Sequence, residues 1–233
     1  MRLAHLYGAV FGWRVQGGPF RGLHYVDDSI CSALAPKILG TYERELAPWI
    51  EAMLREPFDL VINVGAAEGY YAVGFAQRGG VSVVAFEAEA AGRELIARLA
   101  ARNGVAGRVE VAGACAPANL RHHLAGAARP LVIVDVEGYE ATLLEPAAVP
   151  DLRRATILVE LHEDARPMAE LLGARFRASH DIAEEQARPR VWADLPRSAR
   201  VLGLAARARF LAAMDEHRPA GMRWWLLRPR RSP

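Results

Sequence analysis

Residues 59–87 read DLVINVGAAEGYYAVGFAQRGGVSVVAFE. An apolar run, Leu60–Val64, stops at Gly65, and a second glycine follows at Gly69. A helix-length stretch leads to another apolar run, 81–86, which stops at Glu87. The order is strand, glycine turn, helix, strand, carboxylate. A nucleoside cofactor needs that layout. The glycines let the backbone approach the ligand, and an acid at the tip of the second strand accepts hydrogen bonds from both ribose hydroxyls.

Two cofactor classes compete for it. A dinucleotide fold uses G-x-G-x-x-G, with a helix N-terminus facing a pyrophosphate. Here the turn is Gly65-Ala66-Ala67-Glu68-Gly69: the middle glycine is missing, and Glu68 sets a negative charge where a pyrophosphate belongs. S-adenosylmethionine (SAM) has no phosphate, a methionine ammonium and a cationic sulfonium. An acid in the turn suits that ligand and repels the other.

The 233 residues suggest one elaborated domain, a cap or lid over 1–56 and the main unit over 57–233. No stretch approaches the roughly 18–20 apolar residues of a membrane span. Two distant cysteines, Cys31 and Cys115, offer neither a disulfide framework nor a metal knuckle. The expected location is the cytoplasm. Of 29 basic residues only Lys37 is not arginine, which reads as codon bias and singles out Lys37. Apart from Arg228, Arg230 and Arg231, the arginines are spread along the chain, not gathered as a nucleic-acid surface requires.

Residues 1–35 read as turns and short extended pieces, and 36–56 as a helix bent at Pro48. Strands follow at about 59–64, 81–86, 107–112, 131–136, 155–161 and 174–179, with another at 222–227. Helices are expected between the strands from 69 to 172, with a long one over 195–216. The alternation argues for an α/β fold, a Rossmann-like parallel sheet with helices on both faces.

In open α/β sheets the ligand lies beyond the carboxyl ends of the strands. Those ends carry Asn63, Gly65, Glu87, the run Gly113-Ala114-Cys115, Asp135-Val136-Glu137, and Glu160-Leu161-His162-Glu163. Alternation along a strand pairs Asp135 with Glu137 and Glu160 with His162 on one face. Neighbouring strands, about 4.8 Å apart, let three carboxylates and an imidazole converge. Such a set can deprotonate a hydroxyl or hold a divalent cation, Mg²⁺ for instance, at Asp135 and Glu160. Tyr139 and Glu140 read as packing and helix-face residues.

With these motifs in hand, the chain resembles the FkbM-type branch of the class I SAM-dependent methyltransferases. The resemblance rests on VINVGAAEGYYAVG, VVAFE, IVDVEGYE and LVELH, and covers about residues 57–163 with the spacing intact. It implies a seven-stranded sheet ordered 3-2-1-4-5-7-6 with an antiparallel last strand, SAM as methyl donor, and an oxygen acceptor on a sugar or secondary metabolite. Carried over, Gly65 and Gly69, with Asn63 and Ala66, line the methionine end, Glu87 the ribose, Ala114 and Cys115 the adenine side, and Asp135 the methyl-transfer zone. Asn63 replaces the usual first-strand aspartate, so charge assistance to the ammonium falls to Glu68. Gly113–Cys115 lacks the common adenine-binding acid. The segment Lys37-Ile38-Leu39-Gly40-Thr41-Tyr42-Glu43 looks like a closing helix, with Tyr42, Glu43 and Glu137 toward the acceptor.

The expected chemistry is in-line methyl transfer to a small hydroxylated molecule, with Asp135, His162 or Glu160 assisting. Rival readings are a non-catalytic methyltransferase fold that binds a partner, an RNA methyltransferase and a nicotinamide-dependent oxidoreductase. No membrane is implied, and oligomeric state stays open, a homodimer included.

Overall fold

Val, Ile, Leu, Ala and Phe dominate the runs at 60–64, 82–86, 130–134 and 156–161, and such runs are stable only where both faces are covered. A computed structural model describes residues 2–30, 32–162, 167–203, 206–219 and 221–230. Among them lie β1 (Leu60–Val64), β2 (Ser82–Phe86), β3 (Val109–Ala112), β4 (Pro130–Val134), β5 (Thr156–Leu161), β6 (His180–Gln186) and β7 (Arg223–Pro229). They form one seven-stranded sheet in the order β3-β2-β1-β4-β5-β7-β6. The first five strands run parallel, and β7 is antiparallel to both β5 and β6. This is the Rossmann-like methyltransferase fold.

The helices are α1 (Arg2–Val10), α2 (Leu34–Leu39), α3 (Ala47–Met53), α4 (Tyr70–Arg78), α5 (Ala90–Arg102), α6 (Pro117–Ala125), α7 (Glu140–Leu143), α8 (Met168–Phe176), α9 (Arg197–Gly203) and α10 (Arg207–Ala213). Strand side chains alternate between two cores. Val61, Val83, Leu131 and Leu158 join α4, α5 and N-terminal residues such as Phe20, Tyr25, Ile38 and Ile50. Ile62, Val84, Val132 and Ile157 join the apolar faces of α6, α7 and α8.

Four expectations are corrected. Residues 2–10 are helical, with Tyr7 buried against Phe210. The helix expected over 36–56 breaks at Gly40, which is left-handed (φ 74°), while Pro48 sits in the first turn of α3, where its missing N–H costs nothing. Residues 174–176 belong to α8, and the strand comes later, at β6. The sequence HDIAEEQ hides an edge strand, whose outer positions stay charged. The long helix of 195–216 is two short ones, and 215–219 is an irregular loop along the outer cleft, with His217 left-handed (φ 53°). No helix among the described residues is long and apolar enough to cross a membrane.

Candidate active site

The β1 turn passes directly beneath the end of β4. A Cβ on Gly65 would lie 1.7 Å from the Asp135 carbonyl oxygen, and φ there is +75°, so only glycine fits. The N–H groups of Gly65 and Ala66 both donate to the Phe86 carbonyl at 3.0 Å, which fixes the turn to the tip of β2. Glu87 is held in the same corner. Its carboxylate accepts from the N–H of Ala67 at 2.7 Å and of Glu89 at 2.9 Å.

Two adjoining cavities open here. An outer cleft of about 990 Å³ reaches from Glu87, Ala114 and Cys115 to His162 and Arg218. An inner pocket of about 40 Å³ lies behind Gly65 and Ala67, between Asn63, Tyr42, Tyr71 and Trp224. Asn63 is 2% exposed, and its Oδ1 has no partner among the described residues. Burial pushes the Cys115 thiol up to about 12, so it contributes a wall and not a nucleophile. Cys31 lies outside the described residues.

Glu68, expected to face a ligand ammonium, is turned the other way. It is fully buried and lies outside the walls of both cavities. Lys37 forms an ion pair with it, Tyr25 OH donates to it at 2.6 Å, and Ser29 OH donates at 2.8 Å. Burial alone would raise this carboxyl, but Lys37, Tyr25 and Ser29 outweigh it and hold its pKa below the usual range. The pair bolts the N-terminal segment to the glycine turn. The Lys37 ammonium stands 4.7 Å from the centroid of the Tyr42 ring.

At the other end of the cleft, four carboxylates surround one imidazole. His162 Nδ1 lies 2.8 Å from Glu140 Oε1, and its Nε2 lies 3.4 Å from Glu137, 3.5 Å from Glu160 and 3.7 Å from Asp135. Parallel pairing of β4 with β5, Val134 beside Val159, brings these strand ends together. The convergence does not come from strand alternation at Glu137. β4 ends at Val134, and Glu137 is left-handed (φ 51°) in the following turn. Burial opposes a charge on His162, but Glu140, Glu160 and Asp135 outweigh it and raise its pKa to about 9. Burial, with Glu160 and Glu43 nearby, holds Asp135 well above the usual carboxylate range.

Glu160, expected beside Asp135 as a metal ligand, is otherwise engaged. Arg218 donates to both its oxygens at 3.1 and 3.2 Å, and Trp224 Nε1 donates at 3.0 Å. Arg218 also binds Glu43 and Glu216 and donates to Tyr42 OH at 3.2 Å. Glu43, itself left-handed (φ 43°), accepts from Tyr71 OH. Of five described non-glycine residues with positive φ, four (Glu43, Ala67, Glu137 and His217) line the two cavities, where strain concentrates at binding sites.

Sequence reading missed Arg218, Glu216, Trp224, Tyr70 and Tyr71, and it took Glu140 for a helix-face residue. Glu140 is fully buried. The sequence signal for Glu140 was its place three residues beyond Glu137, at the start of α7, where strand alternation no longer applies. For Arg218 none was available, because its partners Glu160 and Glu43 are 58 and 175 residues away in the chain.

No protein-family model matches the chain, and no curated protein does. Solved structures do. A Pyrococcus horikoshii protein described as a transferase matches at a TM-score of 0.50 and 14% identity, over 97% of this chain and 81% of that one. The C-terminal domain of precorrin-6Y C5,15-methyltransferase from Rhodobacter capsulatus matches at 0.48 and 14%, over 82% and 90%. An O-methyltransferase from Bacillus cereus in complex with SAH matches at 0.46 and 13%, over 73% and 74%. At these identities the likeness is one of fold.

Proposed function

We propose that this chain is a SAM-dependent methyltransferase that methylates a hydroxyl oxygen of a small molecule. The observation that carries the reading is a glycine turn that walls two adjoining cavities, one holding Asn63 Oδ1 and the other Glu87, at the carboxyl edge of a 3-2-1-4-5-7-6 sheet. The residues fit the cofactor. Asn63 Oδ1 is a buried acceptor that lacks a donor among the described residues, and the inner pocket beside it, about 40 Å³, exceeds the roughly 10–15 Å³ that one water-sized group needs. An ammonium would satisfy it. Glu87 keeps free lone pairs for ribose hydroxyls at the lip of the outer cleft. Bound SAM supplies an electrophilic methyl group on a cationic sulfonium.

The chain's own work is to align and to accept a proton. Alignment of reacting atoms removes up to about 7–11 kcal/mol of barrier in ideal cases, and a positioned base adds roughly 10²–10⁴-fold. Asp135 stands at the mouth of the cleft for the second task, with the His162 imidazole 3.7 Å away, held charged by its carboxylate neighbours, as a counter-charge. The acceptor end is walled by Asp135, Glu137, Glu160 and Glu216, which favours a neutral or cationic small molecule over a phosphate-bearing polymer.

Calorimetric titration with S-adenosylhomocysteine, beside NAD, tests the cofactor. Micromolar binding of the first alone, lost in Glu87→Ala, is expected. Asp135→Asn is expected to keep that binding and to lose turnover on the hydroxylated acceptor that a sugar and metabolite screen identifies. Binding of NAD, or of neither ligand, overturns the reading.

A further inference from the structure

Three carboxylate oxygens stand 3.4 to 3.7 Å from His162 Nε2, each farther than a hydrogen bond. Donor atoms that share a cation at about 2.1 Å stand about 3.0 Å apart in an octahedron and about 3.4 Å apart in a tetrahedron. The separations of Glu137 and Asp135 from His162 Nε2, 3.4 and 3.7 Å, are close to the tetrahedral spacing. One of the three is otherwise engaged: Glu160 is held by Arg218, whose guanidinium would repel a second cation beside it, and by Trp224. Among the described residues, no hydrogen-bond donor other than the His162 imidazole faces the carboxylate of Asp135 or Glu137.

We propose that Asp135, Glu137 and His162 hold a divalent transition-metal ion. Their ligand atoms all lie within 4.8 Å of one another. A second observation comes from below the cluster. Glu140, fully buried on α7, engages His162 Nδ1 at 2.8 Å, which points Nε2 toward the cleft, where a metal ion would displace its proton. A buried carboxylate on the far nitrogen is how metal-binding imidazoles are oriented and made more basic. The other Glu140 oxygen has no partner among the described residues. Of the four carboxylates around His162 only Glu160 is paired with Arg218, and a buried anion such as Glu140 is costly without a cation nearby. A dipositive ion adds positive charge where Asp135 and Glu137 have the imidazole alone.

The donor set also selects the ion. Mg²⁺ prefers an all-oxygen octahedron, whereas an imidazole with two carboxylates suits Mn²⁺, Co²⁺ or Zn²⁺. This departs from the Mg²⁺ and the Asp135–Glu160 pair that the sequence suggested. Glu137 reaches its position only because the turn after β4 is left-handed at both Glu137 (φ 51°) and Gly138 (φ 101°). A cation there faces the outer cleft and would favour the ionised form of an acceptor hydroxyl. That role rests on the proposed function; the binding of the ion does not.

The test is calorimetry and Mn²⁺ paramagnetic resonance on the full chain, stripped with chelator and titrated with MnCl₂, ZnCl₂ and MgCl₂. The expected result is one ion per chain, with Mn²⁺ and Zn²⁺ bound at least about tenfold more tightly than Mg²⁺. Affinity should fall about 10–100-fold in Glu140→Gln and further in His162→Ala. Glu137→Gln serves as the variant safe for folding, since that side chain is 80% exposed. It should weaken binding and leave the circular dichroism unchanged. Absence of Mn²⁺ and Zn²⁺ binding below millimolar, or binding unaltered in both Glu137→Gln and His162→Ala, overturns the site. S-adenosylhomocysteine affinity measured on the same samples separates the two failures. Retained nucleoside binding without metal sinks the ion alone; lost nucleoside binding sinks the methyltransferase reading.

Discussion

Lys37 is 2% exposed, and its ammonium lies against a carboxylate that no solvent reaches. Removing one partner of such a pair leaves an uncompensated buried charge, which costs about 3–5 kcal/mol. Lys37→Met is expected to destabilise by that amount in urea unfolding, and Lys37→Met with Glu68→Gln to recover most of it. An additive loss in the double variant would show that the pair is not the cause. The pH dependence follows from the depressed Glu68 pKa. Its contribution to stability is whole above the ordinary carboxylate value, about 4.3, and is lost as pH falls through the lower folded value. Wild type should therefore lose stability on acidification below about pH 4 more steeply than Glu68→Gln. The sequence displayed a solitary lysine and an acid in the glycine turn. It could not display that they meet, because 31 residues separate them and neither belongs to a repeating pattern.

At the scale of elements, the legible parts were those whose periodicity is set by burial. β1, β2, β4 and β5 are buried along nearly their whole length, so their apolar runs marked them within a residue or two. β6 escaped because an edge strand buries little: Glu184 accepts from Trp225 Nε1 at 2.7 Å, a polar anchor with no signature in a hydrophobic pattern. The turn after β4 escaped for another reason. Its left-handed Glu137 puts an unfavourable backbone conformation on a residue without glycine's freedom. Glu137→Gly should relieve that strain and raise stability by about 0.5–1 kcal/mol, while weakening metal binding. Chemical denaturation beside a Mn²⁺ titration measures both; a stability loss would mean the turn is unstrained. Gly65→Ala belongs to the opposite case. A methyl placed 1.7 Å from a carbonyl oxygen must displace the end of β4, so both stability and S-adenosylhomocysteine affinity should fall.

Across the whole molecule, Arg218 is the point where distant segments meet. It joins Glu43 of the N-terminal segment, Glu160 of β5 and Glu216 of its own loop, and its guanidinium lies 5.0 Å from the Trp224 ring. Arg218→Met would leave three buried carboxylates facing one another and is expected to cost about 3–5 kcal/mol. Unfolding should also lose coincidence between probes in the N-terminal segment and probes in the sheet. A single transition of unchanged midpoint would refute the linkage. None of this was legible beforehand, since long-range ion pairs depend on a topology that local pattern reading supplies only after the strand order is known.

That strand order also sets a timetable. β6 pairs only with β7, and β7 is inserted between β5 and β6 although it is the last of the seven to be translated. A ribosome that has released β1 to β5 has exposed a parallel half-sheet whose outer edge at β5 is unpaired, and β6 can only wait. Arg218 and Trp224 emerge with β7, so the acidic end of the cleft acquires its neutralising partners in the same late event. At about 5–20 residues per second, the nascent chain passes several seconds with an open β5 edge, the interval in which a holdase chaperone would find it.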